Sequence, residues 1–131
     1  MTATGPAHGV RDPMLDTVVH LISSSRLDLT TEKASQSDLE RALRGWFDRS
    51  EVSREHRLGP GDIPDFLIDG RIAVELKGPR HQASPTLRQL QRYAAYPEVT
   101  HLVLATARAM QMPSAIGGKP LVVINLGRAW L

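Results

Sequence analysis

Asp65, Glu75 and Lys77 are the residues of this chain whose types and spacing could do chemistry. Asp65 follows Pro64, nine residues (66–74) separate it from Glu75, and Lys77 stands two positions beyond the second acid. Two carboxylates offer the hard oxygen ligands that Mg²⁺ takes, and the Leu76 backbone carbonyl is a further candidate ligand beside them. Held close without a cation, two carboxylates repel and one tends to keep its proton, so the cluster itself implies a divalent ion. Such an ion lowers the pKa of a bound water. A lysine pointing the same way can orient that water and stabilise developing negative charge. Each residue alone has a plainer reading: Asp65 as a turn or edge residue, Glu75 and Lys77 as a surface pair on a half-exposed strand.

That chemistry requires the three side chains to share a face. Phe66 and Ile68 alternate with Asp65, Leu67 and Asp69; after Asp69-Gly70, Ile72, Val74 and Leu76 alternate with Ala73, Glu75 and Lys77. This pattern predicts two strands around a turn. The apolar even-numbered residues should lie on one face, and opposed residues of a hairpin share a face, so opposed numbers must sum to an even value. That condition needs an odd-numbered loop or a bulge, because a strict two-residue Asp-Gly turn breaks it. In the resulting register Asp65, Glu75 and Lys77 gather on the opposite face.

Asp12-Pro13 opens a first helix through about residue 24, with Leu15, Val18, Val19 and Ile22 at helical spacing. A second helix runs from the break at Thr30 and Thr31 to about residue 48, its buried stripe formed by Leu39, Ala42, Leu43, Trp46 and Phe47. Residues 52–58 are expected as a first or edge strand, stopped by Gly59-Pro60-Gly61. Ser84 is the expected N-cap of a third helix with Pro85 at its first position, carrying Leu87, Leu90 and Ala94 inward. Residues 101–106 and 121–126 are near-continuous apolar runs joined by a short connection. Strand, helix and strand of this kind favour parallel neighbours covered by helices.

The string Ile-Pro-Asp65-Phe followed by Val-Glu75-Leu-Lys77 resembles the signature of the PD-(D/E)XK nuclease superfamily, over roughly residues 37–106. The resemblance implies an α/β, restriction-endonuclease-like αβββαβ core with a mixed central sheet flanked by helices. It implies a Mg²⁺-dependent deoxyribonuclease, with Mn²⁺ able to substitute, that hydrolyses phosphodiester bonds in recombination, repair or processing. Glu40, on the helix before the first strand, lies where many members place an additional metal-site acid. Ser37-x-x-Glu40 is also a capping box, whereas a helix start at Thr30 or Thr31 leaves Glu40 mid-helix and free to face the site. Gln89-x-x-x-Tyr93 resembles the QxxxY motif of the RecB and lambda-exonuclease branch; one helical turn apart, the two can reach one ligand together, or form a polar helix flank. Stand-alone chains of this size resemble Holliday-junction resolvases, which implies a homodimer. Glu75-Leu-Lys77-Gly78-Pro79 is similar to the VRR-type branch, whose Ser-x-x-Gln spacing is only loosely present at Ser84 and Gln89.

Candidate nucleic-acid contacts are Lys77, Arg80, Arg88, Gln89 and Arg92. Residues 1–75 hold nine Lys/Arg and thirteen Asp/Glu (−4), and residues 76–131 hold seven and one (+6), which sum to the net +2. A cationic second half is a plausible footprint for a polyanion, although basic surfaces without such partners are common. Glu55 is a minor acidic candidate, and His56 and His81 carry no zinc-like spacing. No cysteine is present, which excludes disulfides, cysteine zinc sites and thiol nucleophiles. No phosphate-cradling glycine loop, G-x-S-x-G or H-E-x-x-H occurs. Length and composition predict one domain over residues 12–131 after a loose tail at 1–11. No stretch approaches a membrane span, and the opening residues lack the features of a signal peptide. The expected location is therefore cytoplasmic or nucleoid-associated. A rival from another class is a non-catalytic nucleic-acid-binding or assembly domain that retains the nuclease fold.

Overall fold

Asp12 accepts a hydrogen bond from the Leu15 amide at 3.1 Å and Pro13 takes the first helical position, so α1 runs Pro13–Ser24. The computed structural model of the chain describes residues 11–127. Positions 1–10 of the expected tail lie outside them, and Arg11 pairs with Asp16 on the surface. Thr31 caps α2 (Glu32–Arg44) by accepting from the Ala34 amide at 3.0 Å. The later start at Ser37 is thereby removed as a helix cap. Leu39 and Leu43 of α2 are buried as expected, but the stripe does not continue to Trp46. The helix ends at Arg44, where the Gly45 amide closes onto the Arg41 carbonyl. Beyond that point helical spacing no longer decides which way a side chain faces. Phe47 turns into the core and Trp46 is left 68% exposed.

After a single 3-10 turn (Arg49–Glu51), six strands form one mixed sheet: β1 (Val52–Arg54), β2 (Phe66–Ile68), β3 (Ile72–Lys77), β4 (His101–Thr106), β5 (Ala115–Ile116) and β6 (Lys119–Asn125). Their spatial order is β1-β2-β3-β4-β6-β5. β1, β2 and β3 are an antiparallel meander; β3, β4 and β6 are parallel, and β5 returns antiparallel along the edge. β1 stops well short of residue 58 because Glu55 takes a positive φ of 52° and turns the chain out of the ladder. The short connection expected before the last strand contains β5. Gly117 and Gly118, both at positive φ, turn it directly into β6. α3 (Ala83–Ala94) begins two residues earlier than its sequence suggests. Gln82 is its N-cap residue without a side-chain bond, and Pro85 sits at the third helical position, where its missing N–H costs nothing.

The strands bury both faces. Phe66, Ile68, Ile72, Val74 and Leu76 pack with Val103 and Ala105 under α1 and α2. Leu67, Ala73, Leu102 and Leu104 pack with Leu90 and Tyr93 of α3 on the other side. The protein is thus α/β, with a six-stranded mixed sheet and three α-helices among the described residues. No helix among the described residues is long and apolar enough to cross a membrane.

Candidate active site

The β2–β3 turn sets the geometry. Asp69 and Gly70 both take positive φ (56° and 67°), as a two-residue type I′ turn requires, and the Arg71 amide bonds the Ile68 carbonyl at 3.0 Å. Ile68 nevertheless pairs with Ile72, leaving Arg71 as a one-residue bulge. The odd loop and the Asp-Gly turn therefore coexist, and the register runs Ile68↔Ile72, Leu67↔Ala73, Phe66↔Val74. The next opposed residues are Asp65 and Glu75, and there the two strands part.

At that fork the two carboxylates accept from backbone amides. The Leu76 amide donates to Asp65 Oδ2 at 2.7 Å, and the Asp65 amide donates to Glu75 Oε1 at 3.3 Å. Lys77 Nζ lies 3.1 Å from Glu75 Oε2. Tyr93 of α3 donates its hydroxyl to Glu75 Oε1 at 3.2 Å, and Gln89, one turn earlier, donates to the Tyr93 hydroxyl at 2.8 Å. Asp65, Glu75, Lys77, Tyr93 and Gln89 are thus joined in one network. Asp65 and Glu75 are only 6% and 4% exposed, so neither is the surface residue of the plainer reading.

Burial dominates the electrostatics. It pushes the Glu75 carboxyl up to about 7, the nearby Asp65 charge adds to the rise, and Lys77 opposes it. Burial also raises Asp65, against the Leu76 amide and the Gln36 side chain, which favour its charged form. The Tyr93 hydroxyl is held well above its ordinary value by burial and then by Glu75, so it serves as a hydrogen-bond donor rather than a base. Two buried acids that resist ionising together are a poor arrangement for stability alone.

The remaining candidates are placed less uniformly. Glu40 is held by Arg44 at 2.9 Å and Arg54 at 2.8 Å, which keep its carboxyl below the usual range; it bonds neither Asp65 nor Glu75. Gln36, one turn before it on α2, donates to Asp65 Oδ1 at 2.7 Å. Gln36 was not among the sequence candidates, although its i, i+4 relation to Glu40 was the available signal. Arg92 is paired with Asp62 at 2.9 Å, and Tyr96 donates to the same carboxylate at 2.7 Å. This clamp ties α3 to the loop that delivers Pro64-Asp65. Arg80, Arg88 and Glu55 are exposed. A cleft of about 390 Å³ is lined by Lys77, Arg80, His81, Thr31 and Glu32, but by neither Asp65 nor Glu75.

Among the described residues no group of three or more His, Cys, Asp or Glu gathers as a metal site. The donor set that is present still suits Mg²⁺, which commonly uses one or two carboxylates and completes its shell with water and substrate phosphate. Within a strand, one residue's N–H and C=O point to the same side. The Leu76 carbonyl therefore faces the Asp65 side of β3, since its amide bonds Asp65 while the Lys77 carbonyl accepts from Ala107. No protein-family model, curated protein or solved structure matches the chain.

Proposed function

We propose that the protein is a metal-dependent DNA nuclease of the PD-(D/E)XK type, with Asp65, Glu75 and Lys77 at its centre. The observation that carries this reading is the fork between β2 and β3, where two buried carboxylates and a lysine amine converge. The order α2, β1, β2, β3, α3, β4 follows the αβββαβ core that the resemblance implies. Asp65 and Glu75, with the Leu76 carbonyl, would hold Mg²⁺ or Mn²⁺. When bound, that ion supplies a water of lowered pKa and polarises a phosphate oxygen. Lys77 orients the nucleophile and offsets charge on the pentacovalent phosphorus. Tyr93, itself held by Gln89, keeps the Glu75 carboxylate aimed, and Arg80 and Arg88 offer exposed cations to the DNA backbone.

The test is strand scission on linear duplex, single-stranded, flapped and four-way DNA, with RNA alongside, in Mg²⁺, Mn²⁺ and EDTA. Cleavage that needs the metal and falls by about 10²-fold or more in Glu75→Ala and Lys77→Ala supports the proposal. Binding without scission of any substrate in either metal overturns it and favours a non-catalytic nucleic-acid-binding domain. A second copy of this chain is the proposed protein partner, after the resolvase resemblance. Sedimentation of a monomer both with and without DNA refutes that part.

A further inference from the structure

Gln36 occupies a position that its own chemistry does not explain. Its side chain is nearly buried, and it touches two groups of opposite kind: Nε2 donates to Asp65 Oδ1 at 2.7 Å, while Oε1 accepts from Arg54 Nη2 at 3.2 Å. A carboxylate can only accept and a guanidinium can only donate, so these two neighbours leave the amide one orientation. Arg54 is fixed in turn by Glu40, whose other oxygen is taken by Arg44. A continuous line of hydrogen bonds thus runs Arg44–Glu40–Arg54–Gln36–Asp65, from the partly buried end of α2, across β1, to the fork between β2 and β3.

We propose that Gln36 is a positioning residue for the Asp65 carboxylate, and that Glu40 acts on the site at one remove, by holding Arg54 against Gln36. This inference rests on the nuclease reading of the site. Gln36 and the Leu76 amide grip different oxygens of Asp65, which fixes the carboxylate plane and leaves the remaining lone pairs to a cation. Groups that orient a metal ligand typically change affinity or activity by about 10–100-fold when removed. Charge makes the idea separable from simple electrostatics. Arg54 is a cation close to a cation site, so an Arg54 acting only through its charge would weaken metal binding, and its removal would tighten it. An Arg54 acting through Gln36 strengthens binding, and its removal weakens it.

The experiment measures Mn²⁺ binding by calorimetry without DNA, alongside cleavage as a function of Mn²⁺, for wild type, Gln36→Leu, Arg54→Met and Glu40→Gln. Thermal melts in EDTA report folding, and the half-exposed network positions are also probed with the milder Arg54→Lys. The expected result is about a 10-fold rise in Mn²⁺ Kd for Gln36→Leu and Arg54→Met, with a smaller rise for Glu40→Gln. The effects of Gln36→Leu and Arg54→Met should be less than additive, because both act through one amide. Cleavage should recover towards wild type at saturating Mn²⁺. Tighter binding in Arg54→Met overturns the inference, as does a Glu40→Gln effect larger than that of Gln36→Leu, which would make Glu40 a ligand itself. Wild-type binding and cleavage left unchanged by all the variants overturns the inference alone. A wild type that neither binds Mn²⁺ nor cleaves overturns the nuclease reading, and this inference with it.

Discussion

Glu75→Gln in the metal-free protein should remove most of the pH dependence that the buried acid pair imposes on stability. Glu75 rises from an ordinary 4.5 to about 7, with burial as the main cause and Asp65 as the second. A raised carboxyl means that the folded state holds a proton which the unfolded state has released. Its contribution to stability is therefore fully present below about pH 4.5 and is lost as pH rises through about 7. At about 1.36 kcal/mol per pH unit, the rise from 4.5 to about 7 corresponds to about 3 kcal/mol. Asp65 is raised in the same direction, so its contribution has the same sign. The assay is urea unfolding in EDTA from pH 4.5 to 8.5 for wild type and Glu75→Gln. A constant offset is expected, because Glu75→Gln also removes the partner of Lys77. The informative quantity is how the difference changes: wild type should lose about 3 kcal/mol relative to the variant across the window. Groups that titrate lower, such as Asp12, affect both proteins alike. Mn²⁺ at 100 times its Kd should then restore about 2.7 kcal/mol to wild type at pH 8 and much less to the variant. Parallel curves, or a wild type that gains on the variant with rising pH, would refute the account of the site.

Gly59 lies against Tyr96, and a Cβ built there falls 2.2 Å from the tyrosine oxygen. Gly59→Ala should cost about 1–3 kcal/mol in urea unfolding. Combining it with Tyr96→Phe should cost less than the sum of the two single changes, since the clashing hydroxyl is gone. Asp12 caps α1 and accepts two bonds from Arg71, which hold its carboxyl down at about 2. That stability is present above 3.8 and is lost as pH falls through about 2, so Asp12→Ala should cost roughly 2–3 kcal/mol at pH 7; a loss below about 0.5 kcal/mol would contradict it. Trp46→Gln should change stability by less than about 0.5 kcal/mol, whereas Leu43→Ala, three residues away, should cost about 2–5 kcal/mol. Equal effects at the two positions would mean that Trp46 is covered.

The parts of the fold that were legible in the sequence were those where one local rule decides. Asp12-Pro13 suits a helix start, and the alternation of residues 66–76 settled which face each side chain takes once the parity of the loop was considered, while the loop length itself came from the structure. Trp46 escapes the helical stripe because α2 ends at Arg44 with Gly45 as its cap, and helical periodicity says nothing beyond that point. The expected start of α3 at Ser84-Pro85 falls two residues late because proline is tolerated throughout the first turn, where its missing N–H has no intrahelical acceptor. For a different reason, Gln36 offers only the weak signal of its i, i+4 relation to Glu40. A glutamine on a helix becomes informative only through what lies across from it, and Asp65 is 29 residues further on. Glu40 attracted notice because it is acidic, yet its acidity is spent on two arginines.

The fork between β2 and β3 explains why these two kinds of information meet at one place. A sheet ladder satisfies its own amides, so a pair of buried acids inserted into it would leave both backbone and carboxylates competing for partners. Where the strands part, the Leu76 amide loses its ladder partner and donates to a carboxylate instead, and the Asp65 amide is taken by the other carboxylate. The bulge at Arg71 puts Asp65 opposite Glu75 at that point; without it, every side chain of β2 would face the other way. A deletion of Arg71 would therefore not loosen the site by degrees. It would send Phe66 and Ile68 to the face of α3 and Asp65 into the apolar layer under α2, so the fold and the acid pair depend on the same residue.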